Sequence, residues 1–150
     1  MSDPPLPMSM ARRFEEIERR LRSLEFPLGP RATTGIATAT TSAVSTTSST
    51  YTRVAIAVFY ADTATLGYDV GTTCASGDIV SWRLVCYVPD GTAYDLMTGN
   101  DAYPGATHSG NVQLPAGSRK DYIVEFQIRR SSGTSGSVSG YLNGPFTAER

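Results

Sequence analysis

The chain has 150 residues, a formal net charge of −1 and 18% charged residues, with an isoelectric point near 5.8. A chain of this length buries one core but not two, and without a basic excess it has no general attraction to phosphate, so one globular domain is expected and nucleic acid is not an expected partner. No apolar run reaches the roughly 18 to 20 residues that span a bilayer, and Arg12-Arg13 leads into a Glu-rich stretch rather than an apolar signal core, so neither a membrane span nor a secretory route is expected.

Residues 1–8 carry Pro4, Pro5 and Pro7, which lack the amide hydrogens a helix interior needs, and are expected to form an extended arm. A helix is predicted over residues 9–26, capped by Ser9 and stopped by Pro27, Gly29 and Pro30. Glu15-Arg19, Glu16-Arg20 and Glu18-Arg22 are i,i+4 pairs in the favourable direction, each contributing roughly 0.3 to 0.5 kcal/mol. Met10, Phe14, Ile17, Leu21 and Leu24 form a heptad seam. With Phe14 and Leu21 at a and Ile17 and Leu24 at d, Arg13 and Arg20 fall at g and Glu18 and Glu25 at e, so each g-to-e pair between parallel chains joins Arg to Glu. Leu at a with Ile at d inclines such a seam towards trimers. The competing reading is a single amphipathic helix lying on its own β domain.

Residues 27–50 read as a Thr/Ser-rich linker, although Ile36 to Thr41 are β-branched enough to pair as an edge strand. From Tyr51 to residue 150 the hydrophobic period is two. Val54, Ile56, Val58 and Tyr60 share one parity, as do Val80, Trp82, Leu84, Cys86 and Val88; so do Tyr122, Val124, Phe126 and Ile128, which alternate with Asp121, Glu125, Gln127 and Arg129. Shorter strands are predicted at residues 65–70, 92–97, 111–114 and 137–142. Turn chemistry separates them at Pro89-Asp90-Gly91, Pro115-Ala116-Gly117 and Ser131 to Gly136. The predicted fold is mainly β: an antiparallel sandwich of jelly-roll or immunoglobulin-like type, preceded by a short N-terminal coiled-coil helix.

Signals for catalysis are weak. His108 is the sole histidine and no Gly-x-Ser-x-Gly elbow accompanies it, so it reads as a loop residue. Asp90, Asp95 and Asp101 read as turn residues, and Asp95, Asn100 and Asp101 do not match the calcium-loop pattern. Cys74 and Cys86, the only cysteines, are too few for a structural zinc site; cytosolic synthesis argues against a disulfide, and Cys86 reads equally as a small buried hydrophobe. No catalytic residue, metal or cofactor is expected. The connections from Asp90 to Gly110 do offer a candidate binding surface, with Tyr94, Asp95, Asn100, Asp101, Tyr103 and His108 as possible ligand contacts.

A proline-tipped arm, the helix from Arg12 to Glu25, a Thr/Ser/Gly linker and a strand running Tyr122-Ile123-Val124-Glu125-Phe126-Gln127-Ile128-Arg129-Arg130 together resemble the small minor tail proteins of phages of actinobacteria. The resemblance covers the layout of the whole chain. It implies a non-enzymatic virion component, made in the host cytoplasm and forming homo-oligomers, with trimers favoured. In that role it contacts other virion proteins through the helix and turns its β domain outward for adhesion or receptor contact at the tail. A capsid decoration or head-fibre protein is the alternative within structural proteins. A lectin-like module or a cell-wall glycan hydrolase, meeting a host cell-surface glycan through residues 90–110, is the alternative from another class.

Overall fold

The computed structural model describes residues 33–35, 43–61, 65–115, 120–134 and 136–149. The proline arm, the helix and its seam residues (Met10, Arg13, Phe14, Ile17, Glu18, Arg20, Leu21, Leu24 and Glu25) lie outside the described residues. Among the described residues ten strands are present: β1 (Thr33–Gly35), β2 (Val44–Thr46), β3 (Thr52–Ala61), β4 (Thr65–Thr73), β5 (Ile79–Tyr87), β6 (Ala93–Ala102), β7 (Thr107–Gln113), β8 (Lys120–Ser132), β9 (Val138–Leu142) and β10 (Thr147–Glu149).

They form two antiparallel sheets. One runs β3-β8-β5-β6; in the other, β4 carries β7 on one side and β9 and β10 on the other, with β2 and β1 beyond them. The pairing is nested: β1 pairs with β10, β2 with β9, β3 with β8, β4 with β7 and β5 with β6. A long antiparallel hairpin wrapped across two sheets in this way is a jelly roll. Its innermost turn is the predicted Pro89-Asp90-Gly91 hairpin. The amide of Thr92 donates to Asp90 Oδ1 at 2.8 Å, the amide of Gly91 donates to the Val88 carbonyl at 2.9 Å, and Gly91 sits at φ +85°, where other residues are strained.

Period-two alternation supplies the core. Val80, Leu84, Cys86, Val124, Phe126, Ile128, Val138 and Phe146 are completely buried and form one cluster with Trp82, Tyr122, Leu66 and Val70. Each fully buried large aliphatic or aromatic side chain contributes about 1.5 to 3 kcal/mol.

The exception is β3, where the expected common face of Val54, Ile56, Val58 and Tyr60 does not hold. A bulge shifts the register between Arg53 and Ala55 opposite β8. One extra residue reverses the parity of everything after it. Val54, Ala55 and Ala57 are buried, whereas Val58 is 65% exposed on the outer face. Two pieces of the Thr/Ser-rich stretch are strands as well: β1 and β2 pair along β10 and β9. His108, expected in a loop, lies on β7, and the strand expected over residues 92–97 continues to Ala102 as β6.

Candidate functional site

The expected ligand contacts separate into two groups because they fall at opposite ends of β6, a strand of ten residues. Tyr94 and Asp95 lie near its start and Asn100, Asp101 and Tyr103 at and beyond its end, from about 16 Å (Asp95 to Asn100) to about 30 Å (Tyr94 to Tyr103) away at 3.3 Å per residue. They do not converge on one cleft.

At the far end, β6 leaves its sheet through a tight turn and returns as β7 in the other sheet. The turn is pinned against the end of β4: the amide of Thr72 donates to the Ala106 carbonyl at 2.8 Å, and the amide of Gly105 to the Ala102 carbonyl at 2.8 Å. Gly105 has φ +107°, and its Cα faces the Thr72 carbonyl so closely that a Cβ would collide with it. Beneath the turn Asp101 is buried and accepts two hydrogen bonds. One comes from the Thr72 hydroxyl at 2.5 Å and the other joins it to His108 Nε2 at 2.9 Å. The imidazole stacks on Trp82 with ring centroids 4.5 Å apart, and Trp82 meets Phe126 edge-on.

Threonine, aspartate and histidine in contact invite comparison with a hydrolytic triad, but the order is wrong. The Thr72 hydroxyl is bonded to the carboxylate rather than to the imidazole, so no base faces it, and Thr72 is 1% exposed. The arrangement cross-links the two sheets. Asn100 is similarly engaged, accepting from the Ser81 hydroxyl, while Tyr103 is 62% exposed with its ring in solvent.

The near end of β6 belongs to a belt of charge across the outer face of the four-stranded sheet. Arg83 donates from Nε to Gln127 Oε1 at 2.8 Å and bridges to Asp95 at 3.2 Å; Arg53 bridges to Glu125 at 3.1 Å, and the Gln127 amide donates to Glu125. The Tyr51 ring lies under two guanidinium groups, Arg83 at 4.1 Å and Arg129 at 4.7 Å from its centroid. The alternation of Glu125, Gln127 and Arg129 along β8 signals this face in the sequence. The roles of Tyr51, Arg53 and Arg83 have no such signal, because they depend on cross-strand register.

The thiols are not poised for chemistry. Cys74 and Cys86 are both free and buried. Burial pushes Cys86 up to about 11, and it is also the main cause that raises Cys74, with the carboxylates of Asp78 and Asp101 adding to it. A thiol held neutral is a poor nucleophile. Among the described residues no group of three or more His, Cys, Asp and Glu side chains could hold a metal ion, and no helix is long and apolar enough to cross a membrane.

The sequence matches no family model and no curated protein. The fold has counterparts among solved structures. Over 83% of its length the chain is similar to the structure of the Gt strain of infectious bursal disease virus, with a TM-score of 0.51 at 17% identity. It is similar over the same share, with a TM-score of 0.51 at 16% identity, to a mutant VP2 protein of that virus in derived T=1 particles. It spans only 37% and 36% of those chains. At this identity the likeness is one of fold.

Proposed function

We propose that the chain is a non-enzymatic structural protein of a virus particle, working in several copies and in contact with other virion proteins. The observation that carries this reading is the nested two-sheet sandwich, which is shared over most of its length with chains from infectious bursal disease virus, among them a VP2 protein in T=1 particles. The surface chemistry is compatible with it: Arg53, Arg83, Asp95, Glu125 and Gln127 engage one another in ion pairs and hydrogen bonds.

In the finer reading the seam of Met10, Phe14, Ile17, Leu21 and Leu24, flanked by the Arg13-Glu18 and Arg20-Glu25 pairings, trimerises the chain or docks it, and the sandwich is presented outward at a phage tail. Three weak contacts on one stalk then raise avidity by roughly 100-fold or more where they engage together. A second reading, a decoration protein on the shell, draws support from the likeness to a protein from T=1 particles.

Light scattering on the full chain tests assembly. A trimer that becomes a monomer on Leu21→Asp supports the seam, and a mass left unchanged refutes it. Immunogold labelling of virions carrying the chain separates tail from shell. Glycan-array binding abolished by Tyr94→Ala or Tyr103→Ala, or turnover of a cell-wall glycan, would instead assign the exposed tyrosine rings to a carbohydrate.

A further inference from the structure

The outer face of the four-stranded sheet changes character along its strands. Around Arg53, Arg83 and Gln127 the polar groups satisfy one another. Farther along, Val58 on β3, Ile123 on β8 and Tyr87 on β5 lie side by side in one cross-strand row. Val58 and Ile123 are 65% and 38% exposed. Together with Ile56 and with Pro89 of the β5–β6 hairpin they line a groove of about 610 Å³. Volumes of 300 to 1,000 Å³ are typical of binding clefts. Only two lining residues bear charge at neutral pH, and both are carboxylates: Glu125, which is already paired with Arg53, and Asp121, which is exposed.

We propose that this groove docks a segment of a partner protein that carries apolar side chains flanked by lysine or arginine. The apolar row removes such side chains from water, and the exposed Asp121 carboxylate selects the sign of the flanking charge. The same groove argues against other occupants. An anionic lipid surface or a nucleic acid would meet Asp121 with like charge. A sugar would find few polar groups to replace its water. The inference stands apart from the virion reading, because it rests on this face alone.

Fluorescence anisotropy of a short labelled Leu/Arg peptide and its Leu/Glu counterpart, titrated with the full chain, tests it. The Leu/Arg peptide is expected to bind, to weaken at higher salt, to lose about tenfold in affinity on Val58→Arg and less on Asp121→Asn, and to be unaffected by Tyr103→Ala at the other end of β6. Because Val58 points into solvent, the unfolding midpoint of V58R should match the parent. Equal binding of both peptides, no binding of either, or affinity untouched by V58R would overturn the proposal. So would a fall in the mass of the chain itself on V58R, which would give the groove to a second copy.

Discussion

His108 on β7 reaches across the edge of the sandwich to Asp101 on β6, joining its Nε2 to the carboxylate at 2.9 Å, and so fastens one sheet to the other above the Trp82 ring. Because the same carboxylate also takes the Thr72 hydroxyl, three strands meet at one buried group. Removing the acceptor should therefore cost more than removing either donor.

Asp101→Ala leaves the buried Thr72 hydroxyl only its longer contacts with the Ala106 backbone and is expected to lower unfolding free energy by about 1 to 3 kcal/mol, with His108→Ala costing less. Urea titrations of both variants and of the double variant decide this. Strictly additive losses would show that the two side chains do not act as a unit.

Gly99 lies against Trp82, and a Cβ built there would sit 2.6 Å from the indole. Gly99→Ala is expected to cost about 1 to 3 kcal/mol and to alter the tryptophan emission, since the ring must shift. Gly105→Ala should be worse, because its obstacle is the Thr72 carbonyl and its φ is +107°. Thermal unfolding followed by fluorescence ranks the two.

The bulge in β3 predicts opposite outcomes for two aliphatic residues of similar character. Val54→Ala, at a buried position on β3 before the parity reverses, should cost about 1 to 3 kcal/mol. Val58→Ala, on the outer face, should stay within about 0.5 kcal/mol of the parent. Equal losses would mean that β3 is not bulged.

Cys86 couples stability to alkaline pH. Its thiol is held neutral in the fold up to about 11, whereas the unfolded chain releases the proton from about 9. Between these values the folded state binds more protons, so stability falls as pH rises, by about 1 kcal/mol at pH 10 from this group. In Cys86→Ala the decline between pH 8 and pH 10.5 should be shallower. Iodoacetamide at pH 8 should modify Cys86 only after unfolding.

The buried strands were legible because period two survives wherever one face is covered: β5 and β8 were read correctly down to Trp82, Phe126 and Ile128. β3 was misread because a bulge leaves no mark on composition; Arg53-Val54-Ala55 looks like any alternating strand until its partner is known. β6 was cut short because its residues are mostly exposed at an edge and lack apolar alternation. For the candidate site, the sequence placed Asp101 and His108 in one region but gave no hint that the Thr72 hydroxyl completes their contact, since Thr72 comes from a distant strand. The groove was hidden by the same parity error that put Val58 inside.

The nesting of the strands also sets an order in time. Of the nested pairs only β5 with β6 is joined by a short turn; each pair outward spans more chain, until Thr33 meets Glu149. Long separations carry a closure entropy that must be met before contacts repay it, so the chain should fold slowly for its size, starting at the Pro89 hairpin and zipping outward. Substitutions at that hairpin should then slow refolding, while those in β1 or β10 should mainly hasten unfolding.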